Sequence, residues 1–237
     1  MSPQAAVRQA FRDECAQLSE VLRTLDPVDL DRPTDCPPWT VTELLAHVRT
    51  GAGRLADMLA APAPARAQVD AARYFGAAKF TPEVDAARIQ SARIDAGRGH
   101  AGPCGARPGL GADFDRAWRA TIEAVDAHRL DRVVRTRHGD AMTVTEFLRT
   151  RVVEVGVHGL DLAAALDRPP WLTPAAGRVI AELLTGGRTL PAELGWDRLS
   201  LIVKATGRAA RSRAEQAILD DAGIRLLSFG GNSSTPR

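Results

Sequence analysis

Apolar residues recur at three- and four-residue steps along much of the chain, which is the spacing of one face of a helix. The pattern predicts a first helix over residues 3–25, which ends there because Pro27 disfavours a helical conformation in the residue before it. Further helices are predicted over 113–130 and over 173–186, where a Thr-Pro pair offers a cap and a proline in the first turn. The chain is therefore expected to be mainly helical.

Two segments share the beginning Thr-Val-Thr-Glu, at residues 40–43 and 143–146. A threonine followed three residues later by a glutamate forms a reciprocal cap, in which each side chain accepts a hydrogen bond from the other residue's backbone amide. Both segments are therefore predicted to begin helices, and the helix that follows the second segment is predicted to run over 144–166.

The helix predicted over 144–166 carries a carboxylate and an imidazole one turn apart, at Glu154 and His158. The helix predicted to begin after residue 40 carries His47. Glu154 and His158 continue an apolar stripe, so both are expected on a buried face. An ionised carboxylate is costly there unless a partner or a metal compensates it. Two helices can thus supply a His, Glu, His metal triad. A buried Glu–His pair that only stabilises the core is the alternative that the pattern leaves open.

Residues 60–112 interrupt the helical pattern. A short helix is expected after the Thr-Pro pair at 81–82, followed by a mobile glycine-rich end. Two interpretations stay open for this excursion, a cover over the site and a surface loop without a role. His100, which lies within it, is expected in solvent.

Toward the C-terminus the apolar period changes. Short strands are predicted at 199–206 and 224–229, around a helical segment at 213–220, which together form a small α/β appendage. Residues 1–167 are accordingly assigned to a helical bundle that includes the excursion, and residues 168–237 to an additional helix and this α/β segment.

The composition of the chain argues against several classes of function. With 45% hydrophobic residues, 237 positions suffice for one large domain or for a main domain with an appendage. A net charge of +2 without a dense basic run argues against a nucleic-acid groove. The sequence also lacks a stretch typical of a signal peptide or a membrane span. We therefore expect a cytoplasmic monomer or homodimer that acts on a small molecule, with no nucleic-acid or membrane partner.

The three cysteines, Cys15, Cys36 and Cys104, are widely spaced and form no Cys-x-x-Cys pair, so reduced thiols are expected. Cys15 falls on the apolar face of the first helix and is expected in the core. No neighbouring base or positive charge marks Cys36 or Cys104 as a catalytic thiol. Positive charge comes almost entirely from arginine, and alanine is abundant, a bias typical of a high-GC genome.

Residues 38–48, Pro-Trp-Thr-Val-Thr-Glu-Leu-Leu-Ala-His-Val, and residues 154–162, Glu-Val-Gly-Val-His-Gly-Leu-Asp-Leu, resemble the mycothiol-dependent maleylpyruvate isomerase family. The resemblance is to its metal-binding N-terminal domain, within the DinB-like superfamily, and it covers most of the chain. It implies a DinB-like four-helix bundle with a metal between the second and fourth helices. It also implies that the metal ligands are His47, Glu154 and His158.

Two imidazoles and one carboxylate leave open positions on a divalent metal, for which zinc is the expected ion. The resemblance implies mycothiol as the thiol cosubstrate. Metal coordination would convert the thiol to a thiolate, whose attack on an unsaturated or electrophilic small molecule gives an isomer or, if the reaction stops there, a thioether. Hydrolysis by metal-activated water and a non-catalytic binding protein are the alternatives from other classes.

A second, shorter match lies near the C-terminus. Residues 205–208, Ala-Thr-Gly-Arg, resemble the start of another segment of the family. Arg208 is therefore the candidate catalytic residue, able to hold a substrate carboxylate through a bidentate contact. A surface arginine without a role is the alternative.

Overall fold

The computed structural model describes residues 2–75, 82–98 and 109–227, which are mainly helical. The α-helices are α1 (Pro3–Leu22), α2 (Val41–Ala60), α3 (Ala71–Tyr74), α4 (Pro82–Arg98), α5 (Gly109–Asp126), α6 (Val144–Ala165), α7 (Pro174–Thr185), α8 (Arg198–Ala205) and α9 (Arg213–Asp221). Short 3-10 helices lie at Pro27–Asp31 and Ala192–Leu194.

A small hairpin precedes α6. Strands β1 (Val133–Arg135) and β2 (Ala141–Thr143) pair antiparallel, with Val134 opposite Met142. Both of these residues are buried, so the hairpin adds to the apolar core and leads the chain directly into α6.

Four helices, α1, α2, α5 and α6, form the centre of the bundle. α2 packs along α5 and α6, α1 packs along α6 and α5, and α4 lies against α2. Each of the four central helices contributes at least one fully buried large side chain, namely Phe11, Leu44, Phe114 and Phe147. The predicted fold class, a mainly α, DinB-like helical bundle, is confirmed.

The predicted helix caps are formed, one of them only in part. Glu43 N donates to Thr40 Oγ1 (3.4 Å), and Thr40 N donates to Glu43 Oε2 (3.0 Å). At α6, Thr143 Oγ1 accepts from Glu146 N (3.2 Å), but the carboxylate of Glu146 accepts from Ala71 N (2.9 Å) instead of completing the reciprocal cap. Glu146 thereby fixes the start of α3 on α6, a contact between residues far apart in the sequence.

Some helix boundaries differ from the sequence prediction. α1 ends before residue 25, and α5 begins before residue 113 and ends before residue 130. The carbonyl of Leu130 instead accepts from Thr145 N (3.0 Å) and Oγ1 (2.9 Å), which directs the chain toward α6. α4 is longer than the short helix expected, and the glycine-rich segment with His100 and Cys104 lies outside the described residues.

The predicted strand over residues 199–206 is wrong, because this segment is helix α8. The side chain of Asp197 caps its first turn (2.7 Å), and Ile202 is fully buried where α8 packs on α7. The second predicted strand is absent over residues 224–227, and its remainder lies outside the described part of the chain. Within the described residues the C-terminal segment is therefore helical instead of α/β.

The apolar core continues into the C-terminal segment. α7 packs on α1 and α6, α8 packs on α7, and a smaller cluster of Leu194, Leu219 and Ile224 lies near the end of the described chain. The division at residue 167 stays a prediction. No helix in the three described ranges combines the length and the apolar character that crossing a membrane requires.

Candidate metal centre

Three side chains converge where α2 packs against α6. His47 Nε2 lies 3.2 Å from Glu154 Oε2, and His158 Nε2 lies 3.7 Å from the same oxygen. One potential ligand atom from each residue lies within 4.8 Å of the other two. The structure thus brings together the three residues that the sequence singled out, on neighbouring helices and mostly buried.

Asp161, one turn after His158 on α6, fixes the orientation of that imidazole. Its Oδ2 lies 2.9 Å from His158 Nδ1, so Nδ1 is held by Asp161 and Nε2 is directed toward Glu154. Burial alone would raise the pKa of Asp161, but hydrogen bonds from His158 and Arg208 hold it well below its usual value. Asp161 was not among the residues predicted from the sequence, although its spacing of three residues from His158 is readable there.

Arg208 occupies a different place from the one expected. Its Nε donates to Asp161 Oδ1 (2.7 Å) and its Nη2 to Asp161 Oδ2 (2.6 Å), while Nη1 donates to the carbonyl of Thr206 (3.0 Å). Asp161 is 2% exposed in its side chain, so this is a largely buried ion pair. Arg208 thus contacts the triad indirectly, through the carboxylate that orients His158.

The protonation states of His47 and Glu154 suit metal ligands. Burial lowers the pKa of His47, which keeps the imidazole neutral despite its bond to Glu154. Burial opposes ionisation of Glu154, yet the hydrogen bond from His47 and the charge of Arg151 hold its pKa well below the usual value. Trp39 covers His47, with ring centroids 4.7 Å apart, and limits the access of water to it.

The residues present fit a divalent metal. Two imidazole nitrogens and one carboxylate oxygen are the protein ligands of open, catalytic zinc sites. The bond from His158 to Asp161 provides the carboxylate support that metal-binding histidines usually have. The donor set therefore satisfies both the chemistry of the ligands and the orientation that such a site requires.

The triad faces a cavity of about 300 Å³, a size at the lower end of small-molecule sites. Aromatic and aliphatic side chains form part of its wall, including Trp39, Tyr74, Phe75 and Ile89. Its charged lining consists mostly of arginines from α2, α4, α6 and the turn between β1 and β2, namely Arg54, Arg88, Arg151 and Arg137. The cavity thus combines apolar surface with concentrated positive charge.

Cys36 also lines this cavity. Its thiol donates to Asp161 Oδ2 (3.1 Å), and its Sγ lies 4.0 Å from His158 Nδ1. The structure thus places a carboxylate and an imidazole beside Cys36, neighbours that the sequence did not reveal. Burial, followed by the charge of Asp161, raises the pKa of the thiol to about 12, so Cys36 is a protonated donor and not a nucleophile. Cys15 is fully buried in the core, as expected.

The other two histidines among the described residues, His128 and His138, do not belong to the triad. His128 Nδ1 lies 2.7 Å from the carbonyl oxygen of Ala124, one turn earlier near the end of α5. His138 lies in the turn between β1 and β2 and lines the cavity. Neither had been assigned as a ligand.

Comparison with known proteins identifies a family and a fold. Residues 11–163 match the family model described as the mycothiol maleylpyruvate isomerase N-terminal domain. Two similar solved structures are crystal structures of the mycothiol-dependent maleylpyruvate isomerase and of its histidine-to-alanine mutant. They are 16% and 15% identical to this chain, with TM-scores of 0.50 and 0.51, and each alignment covers 78% of this chain and 70% of the other. A search of curated proteins gives no match. The matched family region contains the triad, and Arg208 lies outside it.

Proposed function

Because the chain belongs to the mycothiol maleylpyruvate isomerase N-terminal domain family, we propose that it is a metal-dependent enzyme that uses mycothiol. Its reaction is isomerisation of, or thiol transfer to, an unsaturated or electrophilic small molecule. The observation that carries the proposal is the convergence of two imidazole nitrogens and one carboxylate oxygen at the wall of a cavity.

His47, Glu154 and His158 are the proposed ligands. A divalent metal held there, zinc by preference, supplies a Lewis acid that makes a thiol ionise near neutral pH. The protein supplies the geometry: Asp161 holds His158 in the required orientation, and Trp39 shields His47 from water. Both contacts are made within the protein itself, which preorganises the centre.

The proposed isomerisation has three steps. The sulfur of mycothiol forms a bond to one carbon of an activated double bond, and the electron pair moves onto the conjugated carbonyl group. Rotation about the resulting single bond follows, and elimination of the thiol restores the double bond in the other geometry. When elimination does not occur and the adduct takes up a proton, the product is a thioether.

The ligand assignment is tested by elemental analysis of the purified protein and of three alanine variants, at His47, Glu154 and His158. We expect one zinc per chain in the wild type and loss of most of it in each variant. His128→Ala is the matched control, because the imidazole of His128 bonds to Ala124 of its own helix and does not belong to the triad. Full metal retention in all three triad variants would contradict the assignment.

The reaction is tested by mass spectrometry of unsaturated acids incubated with the protein, with and without mycothiol. A product of unchanged mass indicates isomerisation, and an adduct of substrate and thiol indicates transfer. We expect one of these, and only when mycothiol is present. A gain of water without any thiol would replace the proposal with hydrolysis, and an unchanged substrate that nevertheless binds would indicate a non-catalytic binding protein.

We assign Arg208 as a positioning residue that acts on the metal centre through Asp161, because its guanidinium is bound to that carboxylate. Arg208→Lys keeps the charge but loses the bidentate contact. We expect weaker zinc binding in a chelator titration and an unchanged KM at saturating zinc. A raised KM with unchanged zinc affinity would instead support the sequence-based prediction that Arg208 holds a substrate carboxylate.

A further inference from the structure

The cavity beside the triad holds more positive charge than its carboxylates balance. Among the described residues, the acidic groups in its lining are Asp95 and Glu154. Four guanidinium groups also line it, at Arg54, Arg88, Arg137 and Arg151. A divalent metal at the triad would increase this excess. A cavity of such composition favours a ligand that carries negative charge.

Two of these arginines lack a carboxylate partner in the part of the chain that the structure describes. Arg54, half-buried on α2, makes no hydrogen bond or ion pair there. Arg137 extends from the turn between β1 and β2 and donates through Nε to Nε2 of the neighbouring His138 (3.1 Å), an uncharged acceptor. Most of the donors of these two guanidiniums therefore remain available to a ligand.

These guanidinium groups also repel one another. Burial lowers the pKa of Arg54, and the charges of Arg137 and Arg151 lower it further. Burial likewise lowers the pKa of Arg137, with contributions from Arg88 and Arg151. The charge of Asp95 opposes this repulsion at Arg54, and that of Glu154 opposes it at Arg137, without a direct ion pair to either arginine among the described residues; a bound anion would reduce the repulsion further.

Arg151 gives this part of the cavity a rigid base. It is 6% exposed, its guanidinium lies 4.8 Å from the ring centroid of Phe147, and its Nε donates to Thr150 Oγ1 (3.1 Å). A Cβ atom at Gly51 would lie 3.1 Å from Arg151 Nη1, so the glycine in α2 leaves room for the buried guanidinium. Its Nη2 is 4.0 Å from Glu154, which links the arginine group to the triad.

We propose that Arg54 and Arg137 form an anion-binding subsite for a carboxylate or phosphate group of the substrate, with Arg151 as its fixed support. The assignment of this group to the substrate rests on the proposed function of the triad; the binding of an anion does not. Arg208, the sequence-based candidate for this task, is bound to Asp161 and lies outside the cavity lining.

The subsite is tested by isothermal titration calorimetry of zinc-loaded protein with succinate and, separately, with inorganic phosphate at low ionic strength. We expect the double variant Arg54→Gln, Arg137→Gln to raise the Kd of the better probe at least about tenfold, or about 1.4 kcal/mol. Arg129→Gln is the control, because its side chain is 84% exposed and lies outside the cavity lining. The tighter probe identifies the anionic group as a carboxylate or a phosphate.

Equal affinities of the wild type and the double variant would overturn the proposal, as would the absence of binding of either probe to the wild type. The variant His47→Ala distinguishes binding of the anion by the metal from binding of the anion by Arg54 and Arg137. Anion binding that persists in this variant, and is lost when Arg54 and Arg137 are also replaced, supports the subsite. Binding that is lost in His47→Ala alone, with both arginines intact, contradicts it.

Thermal unfolding gives a second readout. The double variant without any anion should have an unchanged or higher Tm, because it removes repulsion, and a lowered Tm would indicate that Arg54 and Arg137 have a structural role instead. Zinc content and the thiol requirement are measured on the same samples. Loss of anion binding with zinc retained supports the subsite even if the thiol requirement fails, so the two proposals fail independently.

Discussion

Glu14 predicts a dependence of stability on pH that is independent of the candidate metal centre. Its side chain is 1% exposed in α1, and its Oε2 accepts from Thr173 N (2.9 Å) and Oγ1 (2.6 Å) at the start of α7. Burial raises the pKa of Glu14 from 4.5 to about 7, against the opposing effect of the two bonds from Thr173. Near neutral pH Glu14 is therefore still partly protonated in the folded protein, whereas the unfolded chain has released that proton.

The sign and size of the effect follow from these values. Between pH 4.5 and about 7 the folded state binds more protons at Glu14 than the unfolded state, so the free energy of unfolding falls as the pH rises through this window. The two pKa values correspond to a loss of about 3 kcal/mol, complete once the pH exceeds the folded pKa. Such a loss is a large fraction of the stability of a typical domain.

Glu14→Gln removes the titration and keeps an oxygen that can accept from Thr173. We expect the unfolding free energy of the variant, relative to the wild type, to rise by about 2 to 3 kcal/mol between pH 5 and pH 8. Urea unfolding followed by tryptophan fluorescence measures it at each pH. Glu20→Gln, on the same helix with its carboxylate 69% exposed, should give a constant difference. A pH-independent difference for Glu14→Gln would refute the argument.

Two further predictions concern the support of the centre and the packing of the bundle. Asp161→Asn should weaken zinc binding about 10- to 100-fold in a chelator titration, because the neutral amide supports His158 less well; an unchanged affinity would exclude this role. Gly53→Ala should lower the unfolding free energy by about 1 kcal/mol, since its Cβ would lie 3.0 Å from that of Ala117 on α5. Gly97→Ala, with nothing within 4 Å, should instead raise it by up to about 1 kcal/mol, and the opposite ranking of the two variants would contradict the packing argument.

The metal triad of the candidate site was predictable because the sequence patterns that mark its residues are local. Glu154 and His158 lie one turn apart on a helix whose apolar stripe and capping residues are readable from the sequence. His47 follows the same four-residue start on another helix. The packing of α2 against α6, which brings these residues together, is a long-range contact that helix periodicity does not encode; the family resemblance supplied that step.

The rest of the cavity depends on such long-range contacts. Arg54 and Arg137 are far apart in the sequence and meet only because the turn between β1 and β2 lies beside α2. The error over residues 199–206 has a different cause. Their run of leucine, isoleucine and valine suits a buried strand or a short buried helix equally, and the cap at Asp197 together with packing on α7 selects the helix.

Arg208 connects the two parts into which the sequence analysis divided the chain. It follows α8, beyond the matched family region, yet it neutralises Asp161 on α6. Asp161 is a buried carboxylate that also bonds to the imidazole that it orients and accepts from the thiol of Cys36. Without Arg208 that carboxylate would be more costly to keep ionised, and an ionised Asp161 is what holds the lone pair of His158 Nε2 toward Glu154. This ion pair thus couples the C-terminal segment to the centre, so replacement of Arg208 should alter the affinity for metal before it alters the cavity.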